Sequence, residues 1–256
     1  MSNATKSWSE VIRAIIQSNG GQASLHTLYE QAGQYRNLPT GDWQKTLRGV
    51  LYREARKGEY IRVGLGVFAL PQQAQNLPPT AYQQAAQGQS FRNYLEQQSD
   101  THGAVQGMLI EIGNYLGYLT YTSDKNRTFD GKPLQNLCRL SKIPQFAYPG
   151  LVNIARRRDV LWFSNSRHPL PKYIYDVENT TDFRNSMQQM YQLKDFDARF
   201  VLVADAQKRS LFEQKLQCEP FAEIASRYWF RSFEQVARFY FSCVEHYELR
   251  LLFLEG

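Results

Sequence analysis

Three carboxylates fall where strand geometry can gather them: Asp159, Asp176 and Glu178. Asp159 precedes the apolar run Val160–Phe163, and Asp176 and Glu178 close a second run over residues 173–177. Side chains alternate along a strand, so Asp176 and Glu178 share a face with Val177 between them. A hairpin through residues 164–171 would bring Asp159 to the same end. Three converging carboxylates repel one another unless a hard divalent cation sits among them. That chemistry points to metal-dependent hydrolysis of a phosphodiester. The competing reading of the same acids is strand-end ion pairing with Arg156, Arg157 and Arg158.

Other chemistry is thinner. His26, His102, His168 and His246 show no zinc-ligand spacing and read as surface or satisfied core histidines. Cys138, Cys218 and Cys243 are odd in number and far apart, which favours idle thiols in a reducing cytoplasm. No phosphate-cradling glycine loop is present, so ATP use is not expected. The aromatic run Tyr228-Trp229-Phe230 with Phe239-Tyr240-Phe241 reads as core or dimer interface rather than a base-stacking platform.

The acids need elements to hold them. Residues 104–116 predict a helix with Val105, Met108, Leu109, Ile112 and Leu116 on its buried stripe and Glu111 one position off it. A strand over 118–122 follows, and then a turn-rich stretch, 123–150. After the two acidic strands come a helix over 182–193, a strand over 199–204, a helix over 207–216, a short strand at 228–230 and a last helix from about Phe233. From Gly103 to Ala204 this order and these acids resemble the PD-(D/E)XK nucleases, which implies a restriction-endonuclease-like αβββαβ core. Asp159 matches the first Asp of the motif, Asp176-Val177-Glu178 its (D/E)-X-K, and Glu111 the acid of the opening helix. The lysine position holds Glu178, a Glu-X-Glu-like departure that some restriction enzymes share. The resemblance implies Mg²⁺, with Mn²⁺ able to substitute, on Asp159, Asp176, the Val177 carbonyl and, through water, Glu111. It gives Glu178 the task of orienting or deprotonating a water. Asn179 and Thr180 begin the next helix, where free N–H groups favour a phosphate; an ordinary helix cap fits them equally.

With 256 residues, 43% hydrophobic and 14% aromatic, the chain can build real cores. No apolar run is long enough to span a membrane, and the first residues lack a signal-peptide pattern. The net charge of +6 favours a polyanionic partner. Residues 1–70 concentrate it, with nine Lys/Arg against five Asp/Glu. There the pattern predicts a helix over 7–18 with Ser7 and Glu10 in capping-box spacing, a helix over 24–32, and a third from Thr40 or Asp42. A short hairpin around Gly64-Leu65-Gly66 completes the set. The stretch from Trp8 to Leu70 resembles the HARE-HTH type of winged helix-turn-helix, through Gly58-Glu59-Tyr60-Ile61 and Gly66-Val67-Phe68-Ala69-Leu70-Pro71. It implies that the third helix meets duplex DNA through Lys45, Arg48, Arg53 and Arg56. A solvated basic face on a protein-binding domain is the alternative.

The sequence therefore predicts a mixed α/β chain: a winged-helix domain over 1–70, a Gln-rich linker over 71–98 with one short helix near 91–97, and a nuclease domain over 99–256. The expected function is Mg²⁺-dependent cleavage of double-stranded DNA in the cytoplasm by a homodimeric restriction or defence enzyme, with no membrane partner. A DNA-binding regulator that keeps the fold without the chemistry is the rival.

Overall fold

The computed structural model describes residues 6–74, 78–179 and 183–255. They form a mixed α/β chain that divides into two compact units, residues 1–87 and 88–256.

In the first unit, α1 (Trp8–Ser18) starts at a capping box in which Ser7 and Glu10 satisfy each other's backbone N–H groups. Its Val11, Ile12, Ile15 and Ile16 are fully buried, as the 3.6-residue period requires. Strand β1 (Gln22–Ser24) was not expected; it leads into α2 (Leu25–Tyr35), capped by Ser24. Helix α3 (Trp43–Arg56), capped by Asp42, buries Leu47, Leu51 and Tyr52. Strands β2 (Ile61–Gly64) and β3 (Val67–Ala69) make a hairpin, and β1 pairs antiparallel with β3 to give the order β1-β3-β2.

The expected linker is largely helical. It contains α4 (Pro71–Ala74), α5 (Ala81–Ala86) and α6 (Phe91–Glu96). Its few aromatics are used: Tyr82 of α5 is buried in the first unit and Tyr94 of α6 in the second. Helix α6 falls where one short helix is expected; glutamine-rich composition hid α5, because a single buried ring, with a Thr80–Gln83 capping box, fixes so short a helix.

The second unit is built on a five-stranded sheet. After α7 (Thr101–Tyr115) come β4 (Leu119–Thr122), a two-residue-turn hairpin of β5 (Thr128–Phe129) and β6 (Lys132–Pro133), and α8 (Leu134–Leu137). Asp130 and Gly131 at that turn both have positive φ, as a type I′ turn requires. Then follow α9 (Pro149–Arg156), β7 (Val160–Phe163), β8 (Pro171–Glu178), α10 (Arg184–Tyr191), β9 (Arg199–Ala204), α11 (Arg209–Leu216), β10 (Tyr228–Ser232) and α12 (Phe233–Glu255). The sheet order is β10-β9-β8-β7-β4; β4, β7 and β8 are antiparallel, whereas β8, β9 and β10 are parallel.

Alternation sorts the strand residues onto two faces. Leu161, Phe163, Ile174, Phe200, Leu202, Tyr228 and Phe230 join Ala155, Met187 and Phe212 from α9, α10 and α11 in one core. Trp162 faces the other way, where its indole N–H donates to the Leu109 carbonyl of α7 (3.1 Å). Among the described residues no helix is long and apolar enough to cross a membrane.

Candidate metal centre

Register brings the acids together. Val160 of β7 lies opposite Tyr175 of β8, so one step further Asp159 meets Asp176. The two lock reciprocally: the Asp159 N–H donates to Asp176 Oδ1 (3.3 Å), and the Val177 N–H donates to Asp159 Oδ2 (2.7 Å). The Asp159 carbonyl accepts from Thr122 Oγ1 (2.7 Å), which itself accepts from the Asp124 N–H (3.1 Å). The end of β4 is thus tied to the start of β7, and Asp124 is set beside Asp159.

The first turns of α7 close this end of the sheet. Asp100 caps the helix by accepting from the Gly103 N–H (3.0 Å) and also pairs with Arg127, which reaches Asp124 as well. Any side chain at Gly103 would lie 2.5 Å from Asp100 Oδ2 and 2.9 Å from Arg127, so glycine permits the approach. One helical turn on, Gln106 Nε2 donates to Asp124 Oδ2 (3.2 Å). His102 Nε2 lies 3.5 Å from Asp159 Oδ2.

One ligand atom each from His102, Asp124 and Asp159 lies within 4.8 Å of the others. The donors suit a divalent cation: two carboxylates and an imidazole. His102 Nε2 is buried without a hydrogen-bond partner, the condition of a nitrogen placed for a ligand atom the protein does not supply.

Asp176 sits in a different environment. Only 2% of it is exposed, and Arg158 Nη1 donates to its Oδ2 at 2.6 Å. Burial pushes its carboxyl up to about 7, Arg158 opposing and Asp159 reinforcing the shift. Glu178, on the same strand face, accepts a hydrogen bond from the Ser186 hydroxyl of α10. The ion-pairing reading of the acids therefore applies to Asp176, with Arg158 as the partner.

The expected ligands thus fall in different surroundings. Asp159 stays at the centre. Asp176 is adjacent but committed to Arg158. Val177 contributes an N–H to Asp159. Glu111 is not brought in: it is buried, accepts from Tyr240 Oη (2.6 Å), and its charge bears on buried Lys132. The reason is helical phase, since nine residues past His102 means about 13.5 Å along the axis and half a turn around it. Asn179 is exposed just past β8, and Thr180 lies outside the described residues. In the first unit Lys45, Arg48, Arg53 and Arg56 are all exposed on α3.

Sequence reasoning missed His102, Asp124 and Gln106. His102 and Gln106 are spaced four apart, a legible pair, but the helix was expected to begin only at residue 104. Asp124 falls in the turn-rich stretch, where no period marks it.

Residues 77–251, more than half of the chain and all of this centre, match the family of the type II restriction enzyme NmeDI C-terminal domain. The chain belongs to that family. The match begins before the second unit and ends within α12, so it takes in the whole five-stranded sheet along with His102, Asp124, Asp159 and Asp176. No curated protein and no solved structure matches the chain.

Proposed function

We propose that the chain is a restriction-type DNA endonuclease that works with Mg²⁺ or Mn²⁺ held by Asp159, Asp124 and His102. The observation that carries this reading is the three-donor cluster, in which the buried His102 nitrogen makes no hydrogen bond and lies 3.5 Å from Asp159 Oδ2, inside the region matched to a restriction-enzyme family. The element order α7-β4-β7-β8-α10-β9, with the acids at β7 and β8, supports the PD-(D/E)XK assignment. A bound divalent cation supplies charge for the scissile phosphate and acidifies a water. The protein's own task is position. The Val177 N–H fixes the Asp159 carboxylate, Gln106 fixes Asp124, and the Arg158–Asp176 pair anchors the strand end beneath them. Glu178, two residues from Asp176, is the carboxylate assigned to orient the attacking water.

The first unit is assigned to duplex docking. Three helices with an antiparallel β1-β3-β2 sheet support a winged helix-turn-helix, and Lys45, Arg48, Arg53 and Arg56 give α3 a cationic surface for phosphates. Cutting both strands calls for two such centres, hence a homodimer, and a prokaryotic defence role is the setting that fits a restriction-type nuclease.

A second reading, a DNA-binding regulator without cleavage, draws on two observations: Asp176 is occupied by Arg158, and Glu178 replaces the motif lysine. Incubation of methylated and unmethylated plasmid and phage DNA with Mg²⁺, Mn²⁺ or EDTA separates them. Discrete metal-dependent fragments are expected; bound but uncut DNA under every condition would favour the regulator. In the same assays Lys45→Ala with Arg48→Ala should weaken binding of all sequences and lower the salt slope by about two.

A further inference from the structure

A cavity of about 400 Å³ opens between α7, α12 and the sheet face that carries Trp162, Tyr173 and Tyr175. Its walls are aromatic planes in contact: Trp162 lies 4.8 Å from Tyr175 and 5.3 Å from Tyr173, and Tyr173 lies 6.2 Å from Trp229. Trp162 and Tyr175 are buried, whereas Tyr173 and Trp229 are half-buried and open to the cavity. Two guanidinium groups, Arg199 and Arg231, stand over the Trp229 ring at 5.4 and 5.0 Å. The aromatic run expected as core or dimer interface is thus divided by strand alternation: Tyr228 and Phe230 enter the core, and Trp229 faces this space.

Ordinary core packing does not account for the arrangement, because cores fill such space. The rings are held in place while the space stays open. The Trp162 indole N–H is bonded to Leu109, and Gly113 lets α7 come so close that an added methyl would sit 2.5 Å from Trp162 Nε1. The volume lies in the range of small-ligand sites, and the residues offer flat apolar faces with a planar donor at the rim, since Arg231 is exposed.

Its location narrows the ligand. Leu109 and Leu116 line the cavity, and they fall on the same side of α7 as His102. Leu109 is seven residues beyond His102, two turns or about 10 Å along the axis. DNA advances 3.4 Å per nucleotide on each strand, so a base near a phosphate at the Asp159 centre lies within reach once it leaves the stack. Aromatic faces accept any base, and an arginine fork matches the O6 and N7 acceptors of guanine.

We propose that this cavity receives one DNA base turned out of its stack, guanine in preference, near the bond that the Asp159 centre acts on. The proposal rests on the endonuclease reading. The test uses the full chain in EDTA, so that cleavage plays no part. Tryptophan fluorescence is titrated with dGMP and with dCMP at millimolar concentration, while anisotropy follows a labelled mixed-sequence duplex. Saturable quenching by dGMP, several-fold tighter than by dCMP, is expected. Arg231→Ala should weaken dGMP about tenfold and leave thermal stability unchanged, and Arg231→Lys should not restore it. No saturable quenching, equal response to both nucleotides, or an unaffected Arg231→Ala would overturn the cavity assignment even if the duplex binds. Quenching without duplex binding would instead keep the cavity and remove the DNA-cleavage reading beneath it.

Discussion

Two aspartates face each other across one strand pair, yet the regions around them have little in common. Around Asp159 the structure is half open and acceptor-rich: its side chain is 21% exposed, His102 and Asp124 stand beside it, and backbone N–H groups fix its direction. Around Asp176 it is closed and compensated, with an arginine at 2.6 Å and a hydrophobic core below. Residue type is the same, though Asp159 sits just before β7 and Asp176 within β8; desolvation and the nearest cation differ. A carboxylate with free lone pairs near solvent is suited to a metal. One paired with a buried guanidinium serves to hold the strand end.

The sharpest way to break that contrast is to remove each acid in turn. Asp159→Ala should lower Mg²⁺-dependent cleavage by at least about a hundredfold while the fold persists. Above pH 7, where Asp176 is ionised, Asp176→Ala should instead unfold the protein more easily, by about 3–5 kcal/mol, because it strands the Arg158 charge in the interior. Equal losses of stability in denaturant titrations of the two variants would erase the distinction.

His102→Ala should come next in size. It leaves Asp159 in place but removes the nitrogen donor, so Mn²⁺ affinity, followed by electron paramagnetic resonance of the free ion, should fall at least about tenfold. Unchanged affinity would move the cation off this cluster.

The smallest effect concerns pH. The Asp176 carboxyl is raised to about 7 in the folded chain, from an ordinary value of 3.8. The folded state therefore keeps a proton that the unfolded chain has lost, and this group's contribution to stability declines as pH rises from about 4 to 7. In EDTA, melting temperatures of the wild type minus those of Asp176→Asn should fall across that window and level off above it. A flat difference would mean that Arg158 keeps Asp176 ionised throughout.

Much of the scaffold could be read in advance because its signals are local. The Ser7–Glu10 capping box and the apolar period of α1 act within a few residues, as do the continuous apolar runs at β7 and β9. The start of α7 was harder to see. Thr101 and Gly103 are poor helix formers, and only the Asp100 cap, braced by Arg127 from a later loop, carries the helix back to His102. Helix α5 was obscured for a similar reason, since it depends on Tyr82 finding a core elsewhere in the chain.

The sequence by itself determined the alternating α and β segments, the cationic third helix, and the acids that the β7–β8 register would align. Those follow from period, propensity and charge, which are properties of neighbours. Only the tertiary structure decided which side chains meet. It brought His102 and Asp124 to Asp159 from a helix and a loop far off in sequence, gave Asp176 to Arg158, and turned Glu111 to the opposite side of its helix. Ligand sets, ion pairs and cavities depend on distances of a few ångströms between remote segments, and no local pattern fixes those distances.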